Sequence, residues 1–452
     1  MNRTTLLSVA IALGSLVAAF VMRPIEIPPA VYEDTGAALF PKFTDPAQAA
    51  SLEVIDYDDK AARATSFKVE LKDGRWVIPS HNDYPADGAE RMGKAAASFI
   101  DVKRDLLQSD RSEDHAAFEV EDPQSPSPKG AGKHIIIKDA SGTVLVDAIV
   151  GKKPENKEGF AYVRLPAENA KRVYASKLTV DISTNFTDWI EKDLLKLDQD
   201  TVETFVNDDY KVDELQAKVI NRDVLAVVKE PDPEKPDAPE GKWVISEGAG
   251  IEGKEVDGFK IRQLVGAIDR LQIVGVRPRP EPLTFEALRA KGFFVTPDGR
   301  RLFGNEGEVK VVCNDGVVYS LYFGEITLDS GLALTSGTPE DKPADKPEDP
   351  AAEKAANRYM FVNVEYDAKS DKGAGAGGEE SAGLKRAKSL KARFDKWFYV
   401  ISDANFKQIR KPKAELFKDA TASAPAAPTT PGKAPAKTPK PAAPSKAPAK
   451  AP

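Results

Sequence analysis

Gly74-Arg-Trp-Val-Ile78 and Gly241-Lys-Trp-Val-Ile245 are the same short strand written twice, and that repetition decides how the chain is organised. An Asp-Gly pair follows each copy, Asp87-Gly88 in the first and Asp257-Gly258 in the second, and each opens an apolar-periodic stretch. Farther on come an apolar-Gly step (Val150-Gly151, Phe323-Gly324) and an aromatic-Val strand (Tyr162-Val163, Phe361-Val362). Motifs kept in order, with only inserted residues between them, are the mark of a duplicated domain.

Working outward, the first copy begins near Leu52 with strands around Val54-Ile55 and Phe67–Leu71, joined to Trp76 through the Asp73-Gly74 turn. Asp87 is expected to N-cap a helix reaching about Leu107, with Met92, Ala96, Phe99, Val102 and Leu106 on one face. A hairpin over His134–Gly151, strands at 160–165 and 172–175, and a helical segment over 188–195 complete the unit. In the second copy, Val224–Val228 stands where Phe67–Leu71 stood. Ile261, Leu264, Val265, Ile268 and Leu271 follow i, i+3, i+4, i+7 spacing and predict one buried helical stripe. Asp315-Gly316 turns a second hairpin, and 397–401 returns as the counterpart of Val173-Tyr174.

The expected fold class is therefore α+β, with two tandem domains over 51–198 and 199–418. Each is a twisted, mainly antiparallel sheet with one or two packed helices. The second carries polar insertions at 338–356 and 367–381, expected to be mobile because they lack the apolar residues that offset ordering entropy. From 419 to 452 the chain is Ala-Pro-Lys low complexity.

Residues 5–22 hold no charged side chain, with Arg3 before them and Arg23 after. As a helix they would rise roughly 27 Å at about 1.5 Å per residue, close to a hydrocarbon core. The expectation is a membrane anchor over 1–24, with a Pro-rich stalk over 25–50 and the body outside the cytoplasm. Cleavage after Ala19, or a buried core helix, are the alternatives.

The formal net charge is −7, and the tail from Asp419 holds five lysines against one aspartate, which leaves about −11 on the remainder. An acidic body argues against nucleic acid, whose phosphates need a basic face. His81, His115 and His134 have no ligand spacing, and no zinc, P-loop or G-x-S-x-G signature occurs. Cys313 is the one cysteine and reads as a small buried side chain. Asp56–Asp59 and Asp208-Asp209 lack the glycine and terminal glutamate of an EF-hand loop and read as a solvated face. Trp76 and Trp243 read as core anchors rather than sugar platforms. No catalytic, cofactor or metal-binding residue is assigned.

The repeated signature, over roughly residues 50–418, resembles a bacterial envelope family known as domain of unknown function 4340. The resemblance implies one anchor followed by tandem copies, in company with gliding-motility-type ABC transporter components. It carries over no functional residue, and this chain departs from it in its polar insertions and tail. The expected role is a non-enzymatic, membrane-anchored envelope protein with tandem protein-binding domains, accessory to an ABC-type transport complex in the cytoplasmic membrane. Two alternatives stand beside it: a module holding a peptide, glycan or lipid between the repeats, and an envelope hydrolase whose carboxylates the sequence does not display.

Overall fold

The computed structural model describes residues 35–59, 62–168, 170–213, 218–232, 241–296, 298–338, 356–373 and 380–420. The expected anchor at 5–22 and the low-complexity tail from residue 421 lie outside the described residues, as do 233–240, 339–355 and 374–379. Among the described residues, no helix is long and apolar enough to cross a membrane.

The first sheet is built from β1 (Ser51–Asp58), β2 (Arg63–Lys72), β3 (Arg75–Ile78), β4 (Tyr84–Pro85), β5 (Leu106–Ser109), β6 (Lys133–Lys138), β7 (Val144–Val150), β8 (Phe160–Arg164) and β9 (Val173–Lys177). Asp73 and Gly74 both take positive φ, 50° and 75°, the geometry of the tight turn that joins β2 to β3. The strand order is β4-β3-β2-β1-β6-β7-β8-β9-β5.

The second sheet contains β10 (Val202–Asp213), β11 (Lys218–Glu230), β12 (Lys242–Glu247), β14 (Gly275–Pro278), β17 (Glu308–Cys313), β18 (Asp315–Thr327), β19 (Asn357–Asp371) and β20 (Trp397–Ser402). Its order is β12-β11-β10-β17-β18-β19-β20-β14. Strand for strand this is the first order without β4, and the pairings within both sheets are antiparallel. β13 (Lys254–Val256) pairs with β21 (Phe417–Asp419), and β15 (Phe293–Val295) with β16 (Leu302–Gly304), as two small satellites. The protein is thus sheet-rich α+β.

One helix occupies the same place in each half, between the third strand of the opening meander and the last strand of the sheet. These are α1 (Ala89–Ala97) and α2 (Gly258–Asp269). Asp257 caps α2 by accepting from the Phe259 and Lys260 amides, and the expected stripe of Ile261, Leu264, Val265, Ile268 and Leu271 is buried. The first helix differs from expectation. Gly88, not Asp87, is its N-cap, and it stops at Ala97 rather than near Leu107. Asp101 turns into positive φ at 57°, which breaks the helical path and releases Leu106 into β5. Nor do residues 188–195 form an α-helix. A 3-10 turn at Phe186–Asp188 leads into irregular chain whose Trp189, Ile190, Leu194 and Leu195 are buried. Two further helices, α3 (Ala382–Phe394) and α4 (Asp403–Ile409), flank β20.

Segment 367–381, expected to be mobile, is ordered at both ends. Asp367–Asp371 extend β19, and Ser381 caps α3 through the Leu384 amide. From residue 35, the stretch placed in a stalk packs onto the first sheet: Leu39 and Phe43 are buried, and Phe40 meets Phe99 edge-on at 5.8 Å.

The boundary expected near residue 198 does not separate two cores. One buried apolar cluster runs from Leu39 and Val54 through Trp189, Leu194 and Leu197 to Tyr399, Phe406 and Phe417. Tyr84 meets Trp397 edge-on at 4.9 Å, and the Tyr319 hydroxyl donates to the Leu195 carbonyl at 2.9 Å. Arg386 donates to the Lys196 carbonyl at 2.7 Å while pairing with Asp315.

Candidate functional site

Each half presents a groove along the outer flank of its helix. In the first half, Arg91, Lys94 and Ala95 of α1 and its C-cap Ser98 face Thr179, Asp181, Ile182, Ser183 and Trp189 across a cavity of about 310 Å³. In the second, Lys260, Gln263, Leu264 and Ala267 of α2 and its C-cap Arg270 face Gln408, Lys411, Glu415 and Leu416 across about 510 Å³. Arg91, Lys94, Ala95 and Ser98 correspond one to one with Lys260, Gln263, Leu264 and Ala267, each pair separated by the same 169 positions. The buried faces obey the same register, Met92, Ala95, Ala96 and Phe99 against Ile261, Leu264, Val265 and Ile268.

The far wall recurs as well. It is formed in each half by chain that follows the penultimate strand of the sheet, β9 or β20. In the first half it is tied to the helix entrance by Asp87 N–H donating to the Trp189 carbonyl at 2.8 Å. In the second, Asp257 N–H donates to the Leu416 carbonyl at 2.9 Å. Irregular chain in the first half, and the end of α4 with a following 3-10 turn in the second, thus fold over an amphipathic helix and leave its half-exposed flank as a trough.

The two troughs differ in charge. On α1, Lys94 pairs with Glu90 at 2.6 Å, and Asp181 stands on the opposite wall. On α2, Lys260, Arg270 and Lys411 meet a single carboxylate, Glu415. Lys411 lies 3.9 Å from Glu415 and Lys260 4.0 Å from Asp257, so neither ammonium is tightly engaged.

Carboxylates do come together in one place. Asp208 and Glu308 are cross-strand partners on β10 and β17, and Asp208 is only 2% exposed. Arg222 forks onto both Asp208 oxygens at 2.9 and 2.6 Å, and Arg301 reaches Asp208 at 3.3 Å and Glu308 at 3.6 Å. Burial, then repulsion from Asp208, pushes the Glu308 carboxyl above the usual range, and the Tyr210 hydroxyl donates to it at 3.2 Å. Neither carboxylate lines either groove. The pair is occupied by arginine, which suits a cross-strand clasp rather than an acid–base couple needing an open face for substrate.

Asp208 and Asp209 are therefore not a solvated face, since Asp209 pairs with Arg410 while Asp208 lies in the clasp. Cys313 is buried, and desolvation raises its thiol pKa. The histidines lie apart. His81 stacks on Phe186, His115 Nε2 contacts the Lys171 carbonyl at 2.9 Å, and His134 Nε2 meets Asp147 at 2.8 Å across neighbouring strands. His134 is buried. Among the described residues, no three His, Cys, Asp or Glu side chains are grouped as a metal site. Trp243 is buried in the core, and Trp76 is half-buried against it.

Sequence reading missed the grooves because their lining residues are ordinary Lys, Arg, Gln and Ser between the stripes of an amphipathic helix. Aligning the two helices on their buried residues brings out Arg91 and Lys260 as one repeated position.

These features define a sheet-rich α+β protein with a groove-bearing helix repeated in each half. Residues 76–289, from Trp76 on β3 to Arg289 beyond α2, match the family model described as "Domain of unknown function (DUF4340)". All the α1 and α2 groove positions lie inside that span. No curated protein and no solved structure matches the chain.

Proposed function

We propose that this chain is a non-enzymatic, membrane-anchored envelope protein whose duplicated sheet units bind other proteins, as an accessory of an ABC-type transport complex. The observation that carries the reading is the recurrence of one groove at the same four helix positions of both halves. The strand order common to the two sheets, apart from the extra edge strand β4 of the first, supports a tandem duplication. Leu264 and Leu416 of the α2 trough, and Ala95, Ile182 and Trp189 of the α1 trough, belong to the shared core, which favours a surface preformed for docking and lowers the ordering cost of association. The anchor rests on the uncharged run at residues 5–22, and the transport role on the association that the family resemblance implies.

The test is crosslinking in native membranes from a photoreactive residue at Gln263 or Ser98, followed by mass spectrometry. Recovery of permease or ATPase subunits is the expected result. Recovery of none, with the protein running alone in mild detergent, would refute the transport role.

A further inference from the structure

We propose that the α2 groove is a binding site for an acidic peptide segment that places an apolar side chain between its carboxylates. This deepens the protein-binding reading given above and rests on it.

The charge of the groove is the first argument. Among the lining side chains Lys260, Arg270 and Lys411 stand against one carboxylate, Glu415, with Asp257 and Asp269 just behind Lys260 and Arg270, on a body that is otherwise acidic. No carboxylate among the described residues lies within ion-pair distance of Arg270, and the two lysines sit at 3.9 and 4.0 Å from theirs. A ligand carboxylate therefore competes with weak, solvent-screened contacts rather than with formed bonds. Cations spaced around a hollow select an anionic partner mainly by complementarity and steering.

The shape of the groove is the second. Buried Leu264 and Leu416 and half-buried Ala267 give its lining an apolar part, and the exposed Gln263 and Gln408 add amides. A volume of about 510 Å³ falls within the range of ligand clefts. A planar anionic bilayer would meet the cations but leave the apolar part of the lining unfilled. A peptide presenting carboxylates either side of one apolar residue fills both.

The far wall is held from behind. Asn207 donates to the Lys411 carbonyl at 3.1 Å, Arg410 pairs with Asp209, and Lys413 pairs with Asp223 at 2.7 Å. These contacts fix the backbone of the 408–416 strap and leave the Lys411 side chain facing the trough. The equivalent trough on α1 supplies an internal contrast, because its Lys94 is paired and its wall carries Asp181.

The experiment pans a random peptide display library against the full chain, then measures fluorescein-labelled synthetic copies of the enriched peptides by anisotropy. Enriched sequences should share acidic residues bracketing an apolar one. Lys260→Glu and Lys411→Glu should each weaken their binding about tenfold, with unchanged melting temperature, while Lys94→Glu should leave it intact. The proposal is overturned if no peptide is enriched, if enriched peptides lack acidic residues, or if charge reversal leaves affinity unchanged. It is equally overturned if phosphatidylglycerol vesicles or inorganic phosphate, rather than peptide, show the sensitivity to Lys260→Glu. A peptide that binds while membrane crosslinking finds no transporter subunit would sink the transport role alone.

Discussion

Gly324 lies directly beneath the carbonyl oxygen of Lys291, so a β-carbon at Gly324 would come within 2.1 Å of it. The first half repeats the relationship, with a β-carbon at Gly151 meeting the Phe118 carbonyl at 2.3 Å. In both halves preceding chain crosses the second hairpin strand, just past β7 at Gly151 and at the irregularity within β18 at Gly324, and only glycine lets the two backbones approach. This accounts for the apolar-Gly step seen twice in the sequence. Gly151→Ala and Gly324→Ala should each destabilise by about 1–3 kcal/mol, since backbone rather than a flexible side chain must give way. Gly93, inside α1 with nothing near its missing β-carbon, should behave oppositely, and Gly93→Ala should stabilise by up to about 1 kcal/mol. Urea midpoints at constant m-value check all three.

The paired tryptophans should not be equivalent. Trp243 is 4% exposed on β12, whereas Trp76 is half-buried on β3. Trp243→Ala removes a core side chain and should cost about 3–5 kcal/mol. Trp76→Ala should cost clearly less. Equal losses in denaturant unfolding would contradict the difference in burial.

Much of the second half was legible because its signals are local. Asp257 before an apolar stripe announces a capped helix, and Asp315-Gly316 announces a hairpin. The first half was less legible where tertiary contacts override local pattern. Leu106 continues the α1 periodicity, yet it is claimed by β9 as an edge strand through pairing with Ala175. Trp189 and Leu195 look like a helix face, but they plug the shared core from irregular chain. The grooves were invisible for a different reason. Nothing distinguishes Lys260 or Gln408 in sequence until the fold sets α2 beside a strap about 150 residues further along.

Glu308 should make stability fall as pH rises. Burial and the neighbouring Asp208 charge raise its folded pKa above the unfolded value, so the native state binds this proton more tightly. Its contribution is most favourable below the unfolded carboxyl range, near about 4.3, and is lost as pH climbs through the raised folded pKa. Glu308→Gln mimics the protonated form and keeps an acceptor for Tyr210. The stability of the variant relative to the parent should therefore increase with pH across that window. Chemical denaturation from pH 4 to 8 measures it, and a pH-independent difference would refute the assignment.

His81 should act with the opposite sense. Its ring stacks on Phe186 at 4.1 Å with planes 1° apart, Nδ1 contacts Ser80 Oγ at 2.9 Å, and Nε2 is buried without a partner among the described residues. Desolvation, and then the positive charge of Arg277 on β14, push its pKa down to about 4. Arg277 cannot easily retreat, because its guanidinium donates to the Leu334 and Ala333 carbonyls at 2.8 and 2.6 Å. The folded pKa lies below the unfolded value near 6.5, so the unfolded chain binds the proton first. Stability from this group is complete above about pH 6.5 and drains away as pH falls towards 4. At about 1.4 kcal/mol per unit, the loss reaches up to about 3 kcal/mol. His81→Phe keeps the stack on Phe186 and removes the titration, so its stability should stay flatter than the parent's between pH 6.5 and 4. The other titrating groups are common to both proteins and cancel in the difference. If the two pH profiles run parallel through that interval, the charge of Arg277 and the burial of the ring do not set the acid sensitivity of this contact between the halves.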